Sequence, residues 1–437
     1  MPAQDVLDRV AAQAAALPQM FGAIDFSVRP YRFTDLASDP DSLRPGTTHE
    51  RPRLLADADR VALIEAYTML GDTVADAYAA LLPELGFGSL VSMLKDACDH
   101  GVDSVPDAPP ELVALIKDME RLPDWIDFDL VERGAQQERN SIANLAPYGI
   151  RGAFVGTFMN AYAALPMALT GALDHRTAAT RIKETAVFFT STALPGSLRR
   201  SGPGFKAAAM VRLMHSMVRF NILTRGNKWD PAIYGVPIPQ VDQMPAGLIA
   251  SFMLARKVLD SGRTEFSPEE RARIEFARYR CFLLGLPEEL LGDTPQEIVD
   301  LLMTRHATLR DAYDDATCGA LVRATMAATL QPGEGRKDRL VESFERSFSQ
   351  VFFIKGFLNG NAEKAAAMGI AVTPLDRAKA VMVLAPIAAQ LATYGVLLKV
   401  PATRSAADRR LVAKMNRYLA TLGRAEYATH ADDYRHV

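Results

Sequence analysis

The chain has 437 residues, 49% of them hydrophobic, and a formal net charge of −3. That length is enough for a large buried core, in one big domain or in two or three small ones. A sequence pI near 6.2, with charges of both signs dispersed along the chain, excludes a global basic field of the kind nucleic acid requires.

Three cysteines, Cys98, Cys281 and Cys318, are far apart and odd in number. They form no CxxC pair and no zinc spacing, which suits a compartment where thiols stay reduced. The first residues carry Asp5 and Asp8 and no long apolar run. They read as no secretory leader, so the expected location is the cytoplasm, or outside the cell if a leader has been removed.

In chain order the pattern is helical nearly throughout. An alanine-rich amphipathic run covers 5–17, and residues 23–53 read as an extended arm with prolines and charges. Helical spacing returns over 56–82, with Gly71-Asp72 inside it, and again over 89–100 and 110–121. Pro123-Asp-Trp-Ile-Asp is a helix start, since proline suits the first turn and acids its positive end. The stretch 153–173 is long, uncharged and rich in Phe, Met and Ala; such a helix must be buried on most sides. Helices are predicted over 177–194 and 204–223, followed by a Gly/Pro-rich turn over 226–240. More follow over 242–260, 268–284 and 294–327, then a polar joint at 331–336.

Three helices close the chain: 340–357, 377–399 and 406–422. The uncharged segment Ala380 to Leu398 is about one bilayer long. Because it holds Pro386, Gln390, Thr393 and Tyr394, it is expected to be a buried core helix rather than a stable span. With no strand alternation and no internal repeat, the expected architecture is all-α. A single large domain is read, as an N-terminal helix and arm (1–54), a core (55–335) and C-terminal helices packed on it (336–437).

Sequence signatures of covalent haem (CxxCH), zinc hydrolases (HExxH), phosphate loops, bundle di-iron sites (ExxH) and GxSxG nucleophile elbows are absent. The pairs Gly202-Pro-Gly204 and Gly333-Glu-Gly335 read as helix punctuation. Of seven histidines, most sit in polar or terminal surroundings. His215 lies among Val211, Leu213, Met214, Met217 and Val218. A neutral imidazole in an apolar wall reads either as a hydrogen-bonded core histidine or as an iron ligand. Arg212 and Arg219, three before and four after it, share its helix face. A second helix puts Arg181, Glu184 and Thr185 on one face at i, i+3 and i+4. They read as a surface ion pair or, since Ala186-Val-Phe-Phe encloses the helix beyond them, as a charged group with a task.

The segments RIKET (181–185) and VRLMHSMVR (211–219) resemble the haem-pocket motifs of the latex clearing proteins, in the wider family of rubber oxygenases and a fungal prenyl-chain oxygenase. WDPAIYGVPIPQVDQ (229–243) resembles that family's tryptophan and Gly-Val-Pro-Ile-x-Gln-x-Asp segment, and Gly71-Asp72 resembles a further feature. The similarity spans roughly 55–330. It implies a globin-like helical core with added helices and non-covalent haem b, with His215 as the proximal iron ligand; the shared helix face of Arg212 and Arg219 suits them to pair with the haem propionates. It further implies a distal arginine and threonine at Arg181 and Thr185, and O2 as co-substrate. Glu184 stands at a position that holds lysine or glutamate in the family, and glutamate suits an open sixth site. The implied activity is a haem dioxygenase that cleaves carbon–carbon double bonds of cis-1,4-polyisoprene or related oligo-isoprenoids to an aldehyde and a ketone. Oligo-isoprenoids suit a chain inside a cell better than solid rubber does. The rival readings are an oxygenase of a prenyl side chain, and a non-catalytic helical binder of terpenoid, lipid or haem. The expected partner is a hydrophobic isoprenoid, with no nucleic acid and no stable membrane span.

Overall fold

The computed structural model describes residues 2–423 except 45, 172, 227 and 334. His430, His436 and Glu334 of the Gly333–Gly335 pair lie outside the described residues. Among those described there is no strand. Only two isolated antiparallel bridges occur, Phe33 with Leu309 and Asp41 with Arg310, and the fold is all-α as expected.

The chain divides into two compact units, where one domain split at 54 and 335 was expected. The first unit joins Met1–Gly134 to Leu198–Ala312; the second joins Ala135–Ser197 to the described residues from Tyr313 onward. Each is assembled from segments remote in sequence, a pairing that local periodicity does not report.

The first unit contains α1 (Pro2–Ala16), α2 (Ala58–Thr68), α3 (Thr73–Ala79), α4 (Leu82–His100) and α5 (Pro110–Glu120). The expected helix over 56–82 is broken between α2 and α3 because the Asp72 carboxylate caps a new start, accepting from the Ala75 N–H at 3.1 Å. Helix α6 (Phe128–Leu145) carries the chain from the first unit into the second.

In the second unit, α7 (Ile150–Val155) and α8 (Ala161–Leu169) replace the single long helix expected over 153–173; the chain bends by 110° between them. Asn160 causes the restart, its side chain accepting from the Tyr162 N–H at 3.0 Å. Gly156 lies so close to the Phe357 ring that a side chain there would overlap it. Helix α9 (His175–Thr192) begins at the capping residue Asp174.

The first unit resumes with α10 (Pro203–Arg225), which packs on α3 and α4, and with α11 (Gln240–Asp260), α12 (Pro268–Leu283) and α13 (Pro295–Thr308). The helix expected over 294–327 ends at Thr308. The second unit is completed by α14 (Ala320–Ala327), α15 (Arg336–Phe357), α16 (Pro374–Lys399) and α17 (Pro401–Leu422). Its main core joins Phe154, Phe158, Ile182, Leu321, Val322 and Phe353. The fully buried Arg151 is satisfied by Glu345 at 2.8 Å, Glu342 at 2.6 Å and backbone carbonyls of α14. A buried cation is tolerated only when paired in this way.

The buried-core expectation for 380–398 is overturned. On α16 only Ala380, Val383 and Ile387 are buried, while Val381, Met382 and Val396 are each more than 60% exposed. Apolar composition states which medium a helix prefers; it does not state that the rest of the chain supplies it. By length and composition α16 is also long enough to cross a membrane.

Candidate functional site

In the first unit the candidate ligand His215 sits near the middle of α10 and is half-buried. Helix geometry places it between two stripes. On one side run the buried Arg212 and Arg219; on the other are the half-buried Val211 and Met214. The imidazole therefore stands at the edge of the packed face of α10, beside a partly open apolar strip.

The two arginines do not remain available to an outside carboxylate. Arg212 makes a bidentate pair with Asp72 at 2.7 and 2.8 Å and reaches Asp118 at 2.7 Å. Arg219 pairs with Asp76 and donates to the carbonyls of Pro237 at 2.9 Å and Ile238 at 2.6 Å. Such geometry suits a planar guanidinium fork and not a lysine. This differs from the expected propionate partnership: in the structure both arginines clamp α10 to α3, α5 and the 237–238 turn.

The electrostatics follow. Burial alone would raise Asp72, but the Arg212 charge and hydrogen bonds outweigh it and hold the carboxyl below its ordinary value. For Asp76, burial wins and lifts the carboxyl to about 6, with Arg219 pulling against it and Asp72 adding to it.

The sequence motifs outside α10 join the same lattice. Gln240 donates to the Gly71 carbonyl at 3.1 Å, and the Gly71 N–H donates to the buried Gln13 at 3.0 Å. Trp229 donates to the Gly235 carbonyl at 2.7 Å. Asp242 receives Arg32 at 2.7 Å and Arg305 at 2.7 Å. Ile238 is held at φ 48°, a conformation a β-branched residue adopts only under constraint; Arg219 supplies that constraint through the Ile238 carbonyl. Asp76, Asp118, Arg32 and Arg305 were missed by sequence reasoning. The available signal was the Asp72–Asp76 spacing, opposite two arginines one helical repeat apart on α10.

Gly71 has a packing reason to be glycine: an added Cβ would overlap the Asp76 carboxylate and lie 3.0 Å from Arg219 Nε. Gly71→Ala is expected to cost about 1–3 kcal/mol by overpacking a closed ion pair. Thermal melting of the two proteins side by side checks this, and an unchanged midpoint would remove Gly71 from the clamp.

In the second unit α9 holds Arg181 and Glu184 as a buried pair, with Nη1 and Oε2 2.9 Å apart and the side chains 7% and 8% exposed. Thr185 follows and is half-buried. The surface-pair reading is thus excluded by burial. The opposite side of α9, with Ile182 and Ala186, contributes to the main core and to a cleft of about 300 Å³ shared with α6, α7 and α17. The structure brings Arg181 and Glu184 into contact; His215 stands in the other unit.

Among the described residues, no three His, Cys, Asp or Glu side chains gather to hold a metal ion. A single imidazole beside apolar Val211 and Met214 is compatible with haem, which would supply the other nitrogen donors, as it is with a core histidine. His215 therefore fits haem and not a protein-only metal centre.

Residues 146–343 match the family model described as ER-bound oxygenase mpaB/B'/Rubber oxygenase, catalytic domain. That stretch contains both α9 and α10. A solved structure of latex clearing protein in its closed state is similar in fold, with a TM-score of 0.54 at 18% identity, over 81% of this chain and 91% of that one. None of the curated proteins is similar enough in sequence to match.

Proposed function

We propose that this chain is a haem-dependent oxygenase that cleaves carbon–carbon double bonds of an isoprenoid, adding both atoms of O2 to give an aldehyde and a ketone. The observation that carries the reading is the oxygenase-family match over 146–343 together with the buried Arg181–Glu184 pair inside it. A charge pair this enclosed, inside the matched stretch, is a candidate for chemistry. Oligo-isoprenoids are the preferred substrate class, with a prenyl side chain as the near alternative.

The haem, when bound, supplies the dioxygen chemistry. His215 would hold its iron, and the Arg212 and Arg219 clamps fix the rotation of α10 that presents the imidazole. In the second unit Arg181 fixes the Glu184 carboxylate. Glu184 takes a proton from the allylic carbon next to the double bond and returns it to that carbon as the double bond splits, so the aldehyde and ketone keep every hydrogen of the substrate, and Thr185 offers a hydroxyl beside it. Positioning a base in this way contributes about 10²–10⁴-fold in rate.

The test begins with the absorption spectrum of the purified protein, where a Soret band is expected, followed by mass analysis of products from a panel of polyprenyl compounds under O2. Glu184→Gln is expected to keep the spectrum and lose about a hundredfold or more in product formation. Normal turnover in that variant would overturn the base assignment. A colourless protein carrying bound lipid would overturn the enzyme reading altogether.

A further inference from the structure

We propose that α16 docks the second unit onto an anionic lipid bilayer, lying along its surface rather than crossing it. Between Lys379 and Lys399 the helix carries no charge, and its 26 residues extend about 39 Å. One side packs through Ala380, Val383 and Ile387 onto Phe348 of α15. The other side presents Val381, Met382, Leu384 and Val396 at 64, 63, 51 and 63% exposure. A helix apolar on both sides needs a second apolar medium, and the described residues cover only 11% of its most apolar window. A contiguous exposed strip of this size marks an interaction surface.

Charge decides which medium. The neighbouring helix α17 carries Arg404, Arg409, Arg410, Lys414 and Arg417 against one acid, Asp408. Asp408 is neutralised by Arg139, with both oxygens 2.8 Å from Nη1. Arg404, which donates to the Leu398 carbonyl at 2.9 Å, and Arg409 and Arg410 are exposed, as are Arg377 and Lys399 at the two ends of α16; Arg417, also exposed, lines the cleft beside α9. An apolar strip bordered by exposed cations complements an anionic bilayer, with apolar side chains below the headgroups and arginines among the phosphates. A second copy of the chain fits less well, since a twofold contact through this strip brings the same cations toward one another. A spanning arrangement fits less well too. Helices α15 and α17 lie against α16, and their charged residues would be drawn into hydrocarbon with it.

The experiment is co-sedimentation of the full chain with phosphatidylcholine vesicles, with and without phosphatidylglycerol. Binding is expected on the vesicles containing phosphatidylglycerol, weakening as salt rises. Val381→Asp with Met382→Asp should lower the bound fraction about tenfold or more. Both positions are exposed, so the melting curve should be unchanged. Arg409→Ala with Arg410→Ala should weaken binding about fivefold per arginine, on the anionic vesicles alone. An alkaline carbonate wash should release the protein. The proposal is overturned if the aspartate variant sediments like the parent, if the parent ignores both vesicle types, or if the wash leaves it in the membrane. Self-association that the aspartate pair abolishes, without vesicle binding, would assign the strip to a second copy.

Discussion

His215→Ala is expected to yield a folded protein without haem. The imidazole is half-buried with its Nδ1 enclosed, so its removal leaves a modest defect, about 1 kcal/mol, and alanine is the better helix former. The anchoring of α10 rests on Arg212 and Arg219, both retained in the variant. On the proposed function, haem loses the imidazole that would hold its iron. Soret absorbance per mole of protein should fall to baseline while circular dichroism and melting stay near the parent's. A variant that keeps its colour places the iron on another residue. A colourless parent together with a large loss of stability in the variant makes His215 an ordinary core residue.

Arg219→Met is expected to have the opposite signature, a large stability loss with a pH dependence of defined sign. The Arg219–Asp76 pair is fully buried on both sides, and Arg219 also satisfies the carbonyls of Pro237 and Ile238. Removing the cation leaves a buried carboxylate and two carbonyls without that donor, a loss of about 3–5 kcal/mol. In the parent the Asp76 carboxyl already titrates near 6, above its ordinary 3.8, because burial disfavours the charged form. Without Arg219 it moves higher still. A carboxyl raised in the folded state favours folding when protonated, and that contribution fades as pH rises through the folded value. The deficit of Arg219→Met should therefore be largest at pH 8 and shrink toward pH 5. Adding Asp76→Leu should recover much of it, since an apolar pair replaces a broken ionic one. Melting midpoints at the two pH values check both statements. A deficit that grows on acidification contradicts the assignment.

These two expectations show where the sequence was readable. The α10 helix was predicted over 204–223 and runs Pro203–Arg225, because helical periodicity and a Pro start are local signals. The spacing of Arg212 and Arg219 about His215 was equally visible. Their partners were not: Asp118 lies 94 residues away, Asp72 140 and Asp76 143. Reading the arginines as propionate ligands assumed that charges near an expected cofactor serve it, whereas the fold had nearer carboxylates to offer. The enclosure of Arg181 and Glu184 was anticipated from the Ala186-Val-Phe-Phe run that follows, since an apolar continuation of a helix implies cover. The break at Asn160 was missed because an uncharged stretch hides its one capping residue, and the exposure of α16 because hydropathy is blind to tertiary cover.

The clamp has a bearing on how sequences like this one are sorted. Gly71, Asp72, Asp76, Arg212, Arg219 and the 235–242 turn are tied to one another through buried contacts. Their recurrence in another chain would certify a shared scaffold and say little about what that chain transforms. On the proposed function, chemistry would have to be judged from positions 181, 184 and 185, which can drift while the skeleton is kept. Two proteins alike in every clamp residue and different at those three would be architectural twins with separate trades.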